Sequence, residues 1–139
     1  MDKHLVFVYG TLRRGGEGAM SDRFPASKFI AGATVSGSLY DLGAYPGLLL
    51  DESNSPVVGE VYEVGDETLS RLDEFEASSN YVRKQVEISL GARRETGWTY
   101  EPDPEFYTLS ALIASGDWIE YVGTKTDRPG NTRPDGRRS

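Results

Sequence analysis

Two segments of this chain combine residue types and spacing that can do chemistry. In Arg71-Leu72-Asp73-Glu74-Phe75-Glu76, helical spacing puts Leu72 and Phe75 on the core side and Glu76, four from Leu72, on nearly the same side. Asp73 and Glu74 are expected to face solvent. A carboxylate among apolar neighbours must be paired or take a raised pKa, and a raised pKa suits a general base working near neutrality. A partly exposed glutamate at a helix end accounts for the same spacing equally well. The second segment is Val8-Tyr9-Gly10-Thr11-Leu12-Arg13-Arg14-Gly15. A buried strand running into Gly-Thr leaves backbone N–H groups unpaired at its end, where they can hold an anion or a carbonyl oxygen. An ordinary glycine turn reads the same way.

Other catalytic inventories are nearly empty. With no cysteine there is no thiol nucleophile, thiolate metal site or disulfide framework. The lone histidine, His4, has no second histidine to join it at a metal, and a structural or solvated role is expected for it. There is no Gly-x-Ser-x-Gly elbow, Walker loop or EF-hand pattern. No cofactor and no metal are therefore expected.

These residues need elements to hold them. Leu5 to Tyr9 is a continuous apolar run of the kind that forms a buried central strand. The glycine-rich stretch through Gly18 reads as a loop, and Ala19 to Phe24 as a helical turn ended by Pro25. Strands are expected at Ala33 to Tyr40, briefly at Leu48 to Leu50, and at Val57 to Val64. Asp66 to Phe75 reads as the main helix, with Asp66 placed to cap it and Glu67 suited to its N-terminal dipole. The following strand carries Val82, Val86, Ile88 and Leu90 on one face and Arg83, Gln85, Glu87 and Ser89 on the other. Further strands are expected at about Thr96–Tyr100 and Glu105–Ile113, and a last short element at Ile119 to Val122. Strands around one main helix predict an α+β domain whose mixed sheet is curved into a small, partly closed β-barrel.

The 139 residues suffice for one core and are too few for two. The formal charge is −7, which disfavours a nucleic-acid surface. Residues 124–139 carry Lys125, Arg128, Arg133, Arg137 and Arg138 against Asp127 and Asp135, a local +3 that leaves −10 on residues 1–123. The expected organisation is a domain over 1–123 and a flexible basic tail over 124–139. No run of about 18 apolar residues exists to span a membrane, and the N-terminal run lacks a signal-peptide cleavage site. The cytoplasm is the expected compartment. Oligomeric state is not legible.

Together, Tyr9-Gly10-Thr11-Leu12, Leu72-Asp73-Glu74-Phe75-Glu76 and Tyr81-Val82-Arg83 resemble, in this order, the motifs of the gamma-glutamylcyclotransferase-like family. The wording is nearest to its gamma-glutamylamine cyclotransferase branch. Gly59-Glu60-Val61-Tyr62 is similar to the strand before the family's helix, and Ser115-Gly116-Asp117-Trp118 to a late motif of bacterial members. The resemblance covers roughly residues 5–123. The chain departs from it at Arg13-Arg14-Gly15-Gly16-Glu17-Gly18, where relatives often carry Gly-x-x-Asn.

The resemblance implies a transferase or lyase-type cyclisation of a γ-glutamyl amine, amino acid or peptide to 5-oxoproline, with release of the amine. It implies that Glu76 is the general acid/base and that Tyr9, Gly10, Thr11 and Leu12, with Tyr81 and Arg83, bind the substrate. Such a reaction asks little of a protein, since the attack is already intramolecular and one carboxylate can shuttle the proton. The rival reading is a non-catalytic module that binds a small amino-acid-like ligand in the same pocket. A second rival is a protein-interaction role through the tail. The composition of the tail supports one direct test. Deleting residues 125–139 is expected to leave melting temperature and activity nearly unchanged, whereas a loss of several degrees would show that the tail packs on the domain.

Overall fold

The computed structural model describes residues 3–10, 12–13, 19–43, 45–51 and 55–127, and the side chains only as far as residue 123. In chain order the elements are β1 (Lys3–Val8), α1 (Met20–Arg23), β2 (Lys28–Ser36), β3 (Ser38–Asp41), β4 (Pro46–Leu49), β5 (Pro56–Gly65), α2 (Asp66–Ala77), β6 (Tyr81–Leu90), β7 (Arg93–Pro102) and α3 (Trp118–Asp127). Five strands close a barrel in the order β1-β5-β2-β6-β7, and β3 pairs with β4 as a separate hairpin. The fold is α+β with a mixed sheet, because β1 runs antiparallel to β5 and parallel to β7.

Val6 to Val8 of β1 are all apolar because they are buried on both faces, while Lys3 and His4 begin the strand at its more exposed end. Val6 and Val8 join Tyr62, Val64, Leu69, Leu72, Tyr81 and Tyr100 in a layer beneath α2. Phe7 and Tyr9 point the other way, to Val35, Val57, Val61, Val86 and Ile88. That second set comes from strands around the barrel and forms its interior. Two glycines make room for it. A Cβ on Gly59 would meet the Val8 carbonyl oxygen and come within 2.5 Å of the Phe7 ring, and one on Gly97 would come within 2.6 Å of the Leu5 carbonyl oxygen. At the parallel seam the Thr99 hydroxyl, fully buried, donates to the Phe7 carbonyl at 3.0 Å.

Several expectations are corrected. The strand expected at Ala33–Tyr40 is two strands, parted at Gly37, where a Cβ would lie 2.6 Å from the Leu49 carbonyl oxygen. On β6 the apolar face changes sides. Tyr81 is buried and Val82 is 43% exposed, while Val86 and Ile88 are buried in the usual alternation. The strand begins beneath α2 and continues along the barrel wall, so its two ends bury opposite faces. The strand expected at Glu105–Ile113 is a chain of turns with one isolated bridge, Tyr40 to Leu112. Asp66 does not cap α2. It is the first helical residue, and its carboxylate lies 2.6 Å from His4 Nε2, tying the helix start to β1. The last short element is the helix α3, which runs to Asp127, and residues 128–139 lie outside the described residues.

The Ser115-Gly116-Asp117-Trp118 stretch has a physical account. Gly116 has φ +68° and a Cβ there would strike the Pro56 carbonyl, so glycine is favoured twice over. The Asp117 carboxylate accepts the Glu120 N–H at 3.1 Å at the start of α3, and the Arg13 guanidinium donates to it at 2.8 Å. Burial pushes the pKa of Asp117 up, but these donors outweigh burial and hold it below the ordinary value. Trp118 anchors the helix in the core at 5% exposure.

Gly59→Ala tests the packing around β1. Overpacking against a backbone carbonyl is expected to destabilise the fold by about 1–3 kcal/mol, measured as a lower denaturant midpoint. An unchanged midpoint would show that β1 can yield.

Candidate functional site

α2 lays Thr68, Leu69 and Leu72 against the sheet, and Glu76 follows one turn after Leu72. The helix ends just beyond. Asn80 takes a left-handed backbone, φ 64°, a conformation that asparagine tolerates at helix ends. The chain thereby reverses into β6 and delivers Tyr81 beside Glu76. Both line a cavity of about 350 Å³ with Tyr9, Gly10 and Leu12. The cavity is walled between α2, the start of β6, and the turn after β1.

Of the residues singled out in the sequence, Glu76, Tyr9, Gly10, Leu12 and Tyr81 therefore meet at one cavity. Thr11 lies outside the described residues. Arg83 does not line the cavity. Its guanidinium stacks 4.4 Å from the Trp98 ring centroid, and its Nε lies 3.6 Å from Asp73 Oδ1. Asp73 was expected to face solvent. Instead it accepts a 2.7 Å hydrogen bond from the Tyr100 hydroxyl, and Tyr100 is a cavity wall. Sequence reasoning also missed Tyr100, Pro46, Arg23 and Ser79 as lining residues. Local signals for three of them were weak, because each reaches the cavity from a different part of the chain. Ser79 directly follows the glutamate's helix and was within reach of the sequence argument.

The tyrosines are committed to the scaffold. The Tyr9 hydroxyl donates to the Tyr100 carbonyl at 2.6 Å and accepts from the Leu48 N–H at 3.2 Å. The Tyr81 hydroxyl donates to the Pro46 carbonyl at 2.6 Å. Burial raises the pKa of Tyr9, Tyr81 and Tyr100 above the ordinary phenol value, and the Glu76 carboxylate pushes each further the same way. They stay protonated and neutral, and their protons hold the walls together. The turn after β1 closes with the Arg13 N–H donating to the Gly10 carbonyl at 3.0 Å. A Cβ on Gly10 would lie 2.7 Å from Pro46 Cγ, so the turn sits directly against the residue that holds Tyr81.

Glu76 differs from its neighbours. Burial alone raises its pKa from 4.5 to about 7, so near neutral pH it exists in both forms and can take up or release a proton. Among the described residues no group of three His, Asp or Glu can hold a metal.

The raised pKa makes a signed prediction about stability. Between pH 4.5 and 7 the folded state binds a proton at Glu76 more tightly than the unfolded chain does. Stability from this group is therefore full below about pH 4.5, falls as pH rises to 7, and is level above. Glu76→Gln should match the wild type in denaturant midpoint near pH 4 and exceed it at pH 8. Equal midpoints at both pH values would show that the carboxylate is fully solvated.

Comparison with known proteins identifies the family. The family model described as gamma-glutamyl cyclotransferase, AIG2-like, matches residues 6–120. A Vibrio cholerae protein, provisionally named a gamma-glutamylcyclotransferase, is 40% identical over 121 residues, covering 86% of this chain and 99% of that one. The gamma-L-glutamyl-butirosin B gamma-glutamyl cyclotransferase of Niallia circulans is 36% identical, covering 84% of this chain and 76% of that protein. In structure the chain is similar to YkqA from Bacillus subtilis, with TM-score 0.74 and 25% identity over 92% of this chain and 44% of that one. A cavity with one raised carboxylate at the end of a Leu-Asp-x-x-Glu helix thus sits within a match that spans nearly the whole domain, and the chain belongs to the gamma-glutamyl cyclotransferase, AIG2-like family of cyclotransferase enzymes.

Proposed function

We propose that this enzyme cyclises the γ-glutamyl group of a γ-glutamyl amine, amino acid or peptide to 5-oxoproline, with Glu76 as its acid/base. One observation carries the reading. A single carboxylate with a pKa raised to about 7 lies on the wall of a cavity whose tyrosine protons are already given to backbone and carboxylate acceptors. The cavity volume of about 350 Å³ suits a small ligand.

In this scheme the substrate folds so that its α-nitrogen faces its own γ-carbonyl carbon. Glu76 takes a proton from the α-ammonium, and the freed amine attacks that carbon. A C–N bond forms within the ring, and the γ-amide C–N bond breaks as Glu76 returns its proton to the departing nitrogen. Glu76 then takes the second proton from the ring nitrogen and passes it to the same amine, which leaves as an ammonium. No water is consumed, both protons of the α-ammonium end on the released amine, and Glu76 returns to its starting form. Because both reactants belong to one molecule, holding the folded conformer supplies much of the rate. Tyr9, Gly10, Thr11, Leu12 and Tyr81 would hold the glutamyl part, with the backbone at Gly10 beside the carbonyl oxygen as it gains charge. Arg83 would act at one remove, through Asp73 and Tyr100. The name of the Niallia circulans relative, which carries a γ-glutamyl compound as its object, supports the substrate class.

Glu76→Gln is expected to fold and to lose 5-oxoproline formation by at least roughly 10²–10⁴-fold, the usual worth of general acid–base catalysis. Glu74→Gln, two residues away and exposed, should be nearly silent. An assay of 5-oxoproline across a γ-glutamyl panel reads both. Equal rates for Glu76→Gln and wild type would remove Glu76 from the chemistry. Tight binding of a γ-glutamyl compound with no product from any substrate would leave a binding role alone.

A further inference from the structure

Arg23 is the one cation among the described residues that line the Glu76 cavity. It stands at the end of α1, a single helical turn that is pinned by the residues on either side of it. Met20 is fully buried and Phe24 is 9% exposed, and the Phe24 ring meets Phe75 edge to face at 5.8 Å. This packing brings α1 against the last turns of α2. The Arg23 guanidinium lies 5.2 Å from the Phe75 ring centroid, a cation–π contact that orients the charge without neutralising it.

Among the described residues it has no carboxylate partner. Arg13, Arg71, Arg83, Arg93 and Arg94 each sit within 4 Å of a carboxylate, and Arg23 does not, among the described residues. Glu76, on the same cavity wall, is not within 4 Å of it either. In a chain of net charge −7, an arginine at a cavity with no carboxylate partner among the described residues is a local attraction for an anion. The side chain is solvent-exposed while Glu76 is partly buried, so Arg23 stands at the mouth and Glu76 deeper. A γ-glutamyl substrate with its reacting nitrogen and carbonyl at Glu76 must direct its leaving group outward, toward Arg23.

We infer that Arg23 is a specificity-determining residue that holds the carboxylate of a departing amino acid, so that the site favours γ-glutamyl amino acids over γ-glutamyl amines lacking a carboxylate. This rests on the cyclisation reading of the cavity and sharpens it. The guanidinium, fixed at one edge by Phe75, offers its fork of N–H donors to the planar carboxylate. Phe75 is thus both core residue and orienting surface. The motif wording nearest to the amine-specific branch does not contain Arg23, which lies outside every motif.

The test compares γ-L-glutamyl-L-alanine with γ-L-glutamyl-ethylamine, which differ by that carboxylate, on the full chain. The wild type is expected to favour the alanine conjugate by about 10-fold in kcat/KM, the scale of one charge-assisted contact near a surface. Arg23→Ala should bring the ratio near one, chiefly by raising KM for the alanine conjugate, and Arg23→Lys should restore part of it. Melting temperatures of the variants report whether α1 stays docked. Equal wild-type rates on the two compounds would overturn the inference. So would an equal loss on both in Arg23→Ala, which would put the arginine on the glutamyl carboxylate that both share. Calorimetric titration of both compounds into Glu76→Gln separates this inference from the cyclisation reading. If neither compound yields 5-oxoproline but binding still prefers the alanine conjugate in an Arg23-dependent way, the chemistry fails and the carboxylate contact stands. Absence of that preference in binding removes the contact.

Discussion

Burial of β1 on both faces is the constraint around which this protein is arranged. The stretch from Val6 to Val8, buried on both faces, needs an apolar side chain at each residue, and its neighbours need to come unusually close on one side. Phe7 can fill the barrel interior only because Gly59 carries no side chain against it, and Gly97 likewise leaves room for Leu5 and Ile88. Val6 and Val8 can receive α2 only because Tyr62, Val64 and Tyr100 supply the same layer from adjacent strands. The barrel closes on β1 from both edges, through β5 and β7. The turn that follows β1 is therefore anchored where the two layers meet, and the cavity opens at that point.

A consequence is that the site is rigid where it is polar. Tyr9, Tyr81 and Tyr100 look like candidate proton donors by type, but each gives its proton to a protein acceptor across long sequence separations. They join β1 to β7, β6 to the β3–β4 hairpin, and β7 to α2. Buried hydroxyls with satisfied hydrogen bonds stabilise a unique arrangement, and unsatisfied ones destabilise it. Among the described residues lining the cavity, Glu76 is the one whose raised pKa, about 7, gives it a protonation equilibrium near neutral pH. Its burial works against folding above pH 4.5, which is the stability a site gives up to hold a base with a useful pKa.

The Arg13–Asp117 contact shows a second economy. The residue type that attracts attention after a Tyr-Gly-Thr-Leu turn is an arginine, yet Arg13 is turned away from the cavity lining and reaches the start of α3. There it also approaches buried Glu60, Nε to Oε2 at 3.9 Å. The late Gly-Asp-Trp stretch thereby fastens the first turn of the chain to its last helix. Residues far apart in sequence act together on the loop that shapes the site, without contact with the cavity.

How much of this was legible beforehand depended on whether a signal was local. The apolar run of β1 and the threefold spacing of Leu69, Leu72 and Phe75 are near-neighbour patterns, and they specified the main helix and the central strand; the spacing of Glu76 four beyond Leu72 put it on the core side but fitted a partly exposed glutamate equally well. Strand alternation specified β5 and most of β6, but not the change of face at Val82, because which face is buried depends on what packs there. Asp73 carried no local sign that a tyrosine 27 residues later would claim it. The turns at 105–113 have the composition of a strand and lack a partner edge, since the barrel is already closed by β7 against β1. Closure, the commitment of the tyrosine hydroxyls, and the place of the Arg23 guanidinium at the cavity were decided by tertiary structure alone. Each depends on distances between segments that a one-dimensional pattern does not contain.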